Sequence, residues 1–118
     1  MTTEEIIEGN KLIAEFMTGE TYNTFYLPEF GQYFNSYGQI EYTETFSPDE
    51  LKYHSSWGWL MPVVEKIKQT KQADIIIHAK NLVQISYNKE TKTYFSGSLL
   101  EDVWSACTEF VKWYNQNN

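Results

Sequence analysis

The chain has 118 residues, 42% of them apolar and 17% aromatic, which suits one domain with a packed core. Sixteen carboxylates stand against nine basic residues, all lysine, for a net charge of −7. That balance excludes a duplex nucleic-acid binder, which needs a cationic surplus against phosphate, and the lack of arginine removes the bidentate guanidinium fork. The single cysteine, Cys107, makes no internal disulfide and no cysteine-based zinc site, and it points to a reducing compartment. No basic leader with an apolar run opens the sequence, and no apolar stretch approaches the roughly 20 residues that span a bilayer. A cytoplasmic protein without membrane contact is expected.

The first predicted element is a helix. Thr2 and Glu5 fit a capping box, and Ile6, Ile13, Phe16 and Met17 form an apolar stripe with Gly9 inside it. Thr18-Gly19 is the expected stop. Residues 20–46 then change character. Tyr22, Phe25, Tyr26, Phe30, Tyr33, Phe34, Tyr37, Tyr42 and Phe46 are interleaved with polar residues and glycine. This reads as a long ordered connection with one or two short strands, because a structureless loop of that length is rare in a compact domain. Ser47-Pro48-Asp49-Glu50 predicts a short helix over 48–54. Ser55 and Ser56 predict the cap of a second helix bearing Trp57, Leu60, Met61, Val64 and Ile67, with a kink or restart at Pro62. Three antiparallel strands follow: Ala73 to His78, Leu82 to Tyr87, and a third at Thr93-Tyr94-Phe95 after a turn over Asn88 to Lys92. Ser98 and Glu101 cap a last helix whose buried stripe is Leu100, Val103, Cys107, Phe110, Val111 and Tyr114, fraying from Asn115. The expected class is α+β, with a three-stranded antiparallel sheet packed against N-terminal, central and C-terminal helices in one domain, 1–118.

Several residues carry chemistry in principle. His54 precedes a helix start, and Ser55 and Ser56 with the helix amides would hold a negative group; as plain structure, the serines cap and His54 closes a turn. His54 and His78 lack the spacing of a metal motif. Cys107 on an apolar stripe reads as a small core residue. The carboxylates Glu4, Glu5, Glu8, Glu101 and Asp102 read as solvated helix starts. No glycine-rich phosphate loop occurs, and no cofactor is implied. Sixteen Phe and Tyr side chains exceed what three helices and three short strands bury, so some should line a cleft or an interface. Trp57 and Trp59 cannot share a helical face; if one is core, the other meets a partner or ligand. The candidate binding residues are therefore Tyr26, Tyr33, Tyr37, Lys52, His54, Ser55, Ser56, Trp57 and Trp59, with Lys80 and Lys92 as further contacts for an anion.

The stretch Leu51-Lys52-Tyr53-His54-Ser55-Ser56-Trp57-Gly58-Trp59-Leu60-Met61-Pro62-Val63-Val64-Glu65-Lys66-Ile67 resembles one in small, uncharacterised phage- and prophage-encoded proteins of gut bacteria, as does Phe110-Val111-Lys112-Trp113-Tyr114-Asn115. That family carries Asp at the position of Gly58 and brings no activity to transfer. The resemblance implies an accessory role in the cytoplasm of a bacterial host. The sequence thus favours a non-enzymatic binding protein sequestering a small, nucleotide-like signal in an aromatic pocket. The alternative is a protein–protein inhibitor or adaptor with an acidic aromatic surface; a His/Ser hydrolase ranks third. Exposed rings also make a homo-oligomer an expectation.

Overall fold

The computed structural model describes residues 1–21, 23–42, 45–78 and 81–117, and of residues 32–34 and 42 the backbone alone. The expected turn at Ala79-Lys80, the lysine candidate Lys80, Tyr22 and the side chains of Tyr33, Phe34 and Tyr42 lie outside the described residues. The fold is α+β. The chain divides into two compact units, Met1–Leu51 and Lys52–Asn118.

The first unit begins with helix α1, Thr3–Thr18. Its start and stop follow from local chemistry. The Thr2 hydroxyl accepts the Glu5 amide at 3.1 Å, and Gly19, at φ 74°, donates its amide to the Glu15 carbonyl. Ile13 and Phe16 are buried as the stripe predicts, while Ile6 and Met17 are half-buried. Asn10 is buried too, a polar residue that periodicity does not flag. Its Nδ2 donates to the Leu51 carbonyl at 3.1 Å, 41 positions along the chain, and so ties the end of the unit to its first helix.

Between these anchors lie four short strands rather than one or two: β1 (Phe25–Tyr26), β2 (Gln32–Phe34), β3 (Ile40–Tyr42) and β4 (Thr45–Phe46). They pair in a nested antiparallel ribbon. In β1–β4, Phe25 faces Phe46; in β2–β3, Gln32, Tyr33 and Phe34 face Tyr42, Glu41 and Ile40. A 3-10 turn, Pro28–Phe30, links β1 to β2. The ribbon alternates about its pleat: Phe25 and Leu27 are buried and Tyr26 between them is exposed. The helix predicted over 48–54 is one 3-10 turn, Pro48–Glu50. It stops because Leu51 turns extended (φ −70°, ψ 142°) and is 1% exposed. The Glu50 carboxylate reaches back to the Ser47 amide at 2.9 Å and to its hydroxyl at 2.7 Å.

The second unit holds helix α2 (Trp57–Gln69), strands β5 (Ala73–Ile77), β6 (Val83–Tyr87) and β7 (Glu90–Tyr94), and helix α3 (Leu99–Asn117). Pro62 does not break α2. It is the sixth residue of the helix, so the bond lost is the one to the Gly58 carbonyl, and Gly58 is exposed to water. The sheet order is β5-β6-β7, fully antiparallel. The second hairpin is tighter than predicted. Asn88 and Lys89 both take positive φ, 52° and 63°, which matches the twist of a two-residue turn, so β7 starts at Glu90. Val83, Ile85 and Tyr87 turn one face of β6 inward, and α2 and α3 pack on the sheet. Tyr87, Phe110 and Trp113 form a ring cluster with centroids 5.3–5.9 Å apart.

The start of α3 uses Ser98, whose hydroxyl accepts the Glu101 amide at 3.4 Å. Asp102 is not the solvated carboxylate expected: it is 3% exposed, and both its oxygens accept the Ser96 amide, at 3.2 and 3.0 Å. The helix also runs on to Asn117, whose Nδ2 donates to the Trp113 carbonyl at 2.8 Å.

Two outcomes follow from these anchors. Asn10→Ala leaves the Leu51 carbonyl without its side-chain donor and should lower stability by about 1–3 kcal/mol in urea unfolding; an unchanged midpoint would deny the bond its anchoring role. The Ser47 amide and hydroxyl hold the Glu50 carboxyl below the usual carboxylate range. A lowered folded-state pKa contributes stability above the unfolded-state pKa, lost as pH falls through the folded one. Carboxyl NMR titration should show Glu50 protonating at lower pH than an ordinary glutamate, and Ser47→Ala should raise its midpoint.

Candidate functional site

Among the candidates of the second unit, Lys52, His54, Ser55, Ser56 and Trp57 come together in one tight turn leading into α2. The Lys52 carbonyl accepts the amides of Ser55 at 3.1 Å and Ser56 at 3.0 Å, and the Ser55 hydroxyl points to it at 3.5 Å. Those two amides are committed to the turn. The Ser56 carbonyl in turn accepts the amides of Trp59 and Leu60. Burial lowers the pKa of His54 from the ordinary histidine value, which favours the neutral ring. The geometry is that of a turn and a helix start.

Trp59 and Trp57 separate as the spacing requires. Trp59 is 8% exposed and meets Tyr53 edge-on at 5.2 Å between centroids, which gives it a core role. Trp57 is 37% exposed, and Met61, one helical turn on, is 42% exposed, so the two form a small apolar stripe on the outer side of α2.

The other polar candidates are engaged within the second unit. Lys92 reaches Glu109 at 3.3 Å and lies over the Tyr87 ring, 5.6 Å from its centroid; Tyr87, then Glu109, raises the pKa of its ammonium above the ordinary lysine range. His78 Nε2 is 2.6 Å from Gln84 Oε1. No group of three or more His, Cys, Asp or Glu stands close enough to hold a metal ion among the described residues. Cys107 is fully buried, and burial pushes its thiol pKa up to about 12.

The first unit offers a different surface. At the ribbon's tip, Asn35 organises the turn: its Oδ1 accepts the Tyr37 amide at 2.9 Å and the Gln39 amide at 3.0 Å, while its Nδ2 donates to Glu41 at 2.8 Å. Its backbone accepts the Gly38 amide and donates to the Gln39 carbonyl, and Gly38 takes φ 75°. This holds Tyr37 outward, 86% exposed, beside Ile40 at 48%. Tyr26, at the ribbon's base, is 61% exposed.

Next to Tyr26 lies a hollow of about 350 Å³, lined by Met17, Thr18, Glu20, Phe25, Tyr26, Leu27 and Glu29. That is at the low end of the roughly 300–1,000 Å³ of ligand sites. The end of α1 forms one wall: the Thr18 hydroxyl donates to the Ala14 carbonyl at 2.8 Å and accepts the Glu20 amide at 3.3 Å. Phe25 and Leu27, 2% and 3% exposed, are the apolar part, and Glu20 and Glu29 are exposed carboxylates.

Residue-by-residue reading took Met17 as part of the α1 stripe and passed over Glu20 and Glu29. The signal that finds them is a count by halves. Residues 1–51 hold ten carboxylates and one lysine, a net charge of −9, and residues 52–118 hold six carboxylates and eight lysines, a net charge of +2. From residue 12 to residue 51 there is no basic side chain at all.

No family model, curated protein or solved structure matches the chain.

The buried thiol gives a direct check. Cys107 should stay unreactive toward an aromatic disulfide reagent in the folded protein and react fully in denaturant. Rapid reaction under native conditions would reopen the nucleophile reading.

Proposed function

We propose that the protein is a non-enzymatic, phage-type accessory protein that acts in the bacterial cytoplasm by occupying a host protein through the acidic, aromatic surface of residues 20–46. The observation that carries this reading is the coincidence of exposed rings with one-signed charge. Tyr26, Tyr37 and Ile40 stand in solvent on a ribbon whose Phe25, Leu27 and Phe46 are buried, in a stretch that lacks any basic residue. Rings on a preformed turn lose little conformational entropy on binding, and the surrounding carboxylates steer toward a cationic partner. The phage assignment rests on the resemblance of residues 51–67 and 110–115.

Capture of a nucleotide-like signal asks for a lysine or a helix N-terminus beside the rings. The described hollow supplies two carboxylates and the C-terminal end of α1 instead, so the protein-binding reading has the stronger support. The His/Ser hydrolase reading has none in the turn at Lys52–Ser56, where the serines close the backbone.

Immobilised protein exposed to bacterial lysate tests the proposal. A lysine- and arginine-rich protein should be retained, released by moderate salt, and retained about tenfold less by the Tyr26→Ser/Tyr37→Ser variant. Both substitutions are at exposed positions, so the unfolding midpoint should hold. Equal retention by the variant would contradict the proposal.

A further inference from the structure

We infer that the hollow between the end of α1 and β1 is a subsite for one arginine or lysine side chain of a protein partner. The inference rests on the reading above and gives it a chemical contact. Three features converge on a side chain with an apolar stem and a cationic head.

Half-buried Met17, with the edges of Phe25 and Leu27 beneath it, offers the stem an apolar wall. Glu20 and Glu29 supply carboxylates for the head, and the Tyr26 ring, 61% exposed, supplies a face for cation–π contact. Helix α1 ends against the hollow with no basic residue in its last turn, so the negative end of its dipole adds to the same field. Among the described residues no lysine lines the hollow, and the nearest basic residues in sequence are Lys11 and Lys52. The cation must therefore come from outside this segment.

Other ligand classes fit less well. A phosphate or carboxylate would enter against two like charges. A bare metal ion would find two carboxylates where at least three clustered ligating groups are needed, and no such cluster is present among the described residues. A wholly apolar ligand would bury the rim carboxylates without compensation. Arginine fits better than lysine, because a planar, weakly hydrated guanidinium stacks on a ring and engages carboxylates in pairs.

The test uses the whole chain and N-acetyl-arginine-N-methylamide as probe, followed by NMR at the Met17 methyl and the Tyr26 ring. Saturable shifts confined to residues 17–29 are expected. They should weaken at least about fivefold for the citrulline analogue, for guanidinium chloride alone, and in the Glu20→Gln/Glu29→Gln variant. Both glutamates are exposed, so that variant keeps the fold, and Tyr26→Leu separates the ring's share from the charge. Equal response to citrulline, shifts spread over all acidic positions, or no shift at all would overturn the subsite. Binding of guanidinium as tight as that of the arginine probe would overturn the side-chain assignment in favour of a small free cation. Arginine binding without any retained lysate protein would leave the subsite standing and remove the host-protein reading; the reverse would do the opposite.

Discussion

The aromatic surface exists because its ribbon is pinned at both ends. Strands of two and three residues are too short to hold themselves together. The first pin is the close of α1, where Gly19 takes the left-handed conformation and returns its amide to Glu15. The second is the Asn10 amide on the Leu51 carbonyl, which fixes the far end to the same helix. Between the pins, Phe25 faces Phe46 in the pairing register, and both are buried. A pleated strand alternates its faces, so burying Phe25 and Leu27 obliges Tyr26 to point out. The exposure of that ring is a consequence of register, and a one-residue slip would reverse it.

The unit that carries the ribbon, residues 1–51, holds ten of the sixteen carboxylates and one lysine. Unscreened carboxylates repel one another, which costs stability in a compact unit. In solution that repulsion is relieved by counterions, and in a complex by a cationic partner. The ribbon therefore combines an exposed ring on a hydrogen-bonded tip, an acidic setting and a hollow with an apolar wall. The second unit contrasts with it. There the rings of Tyr87, Phe110 and Trp113 pack against each other, and Lys92 is balanced by Glu109. A surface ion pair of that kind adds about 0–1 kcal/mol.

Elements governed by neighbouring residues were legible in the sequence. The caps at Thr2–Glu5, Gly19 and Ser98–Glu101 need only local spacing, and the sheet of β5, β6 and β7 announces itself by β-branched runs and turns. The ribbon was not legible as four strands, because pieces of two or three residues are too short for alternation to register. Pro62 misled because the cost of proline depends on what its orphaned carbonyl meets, and the exposure of Gly58 is a tertiary fact. Asp102 read as a solvated helix residue and Asn10 carried no sequence signal; their burial is set by groups 6 and 41 positions away. At the site, the exposure of Tyr26 and Tyr37 agreed with the argument from ring surplus, whereas Trp59 went to the core. Glu20 and Glu29 escaped notice singly, although the charge count over residues 12–51 marks their segment.

The account stands on a ribbon that is formed before any partner arrives. Amide hydrogen exchange on the isolated chain tests this most directly. The amides of Asn35, Tyr37, Gly38 and Gln39, each bonded within the tip, should exchange about tenfold or more slowly than an unstructured chain. Exchange at the unstructured rate across residues 25–46 would mean that the rings are not held out by the fold, and the account would fail.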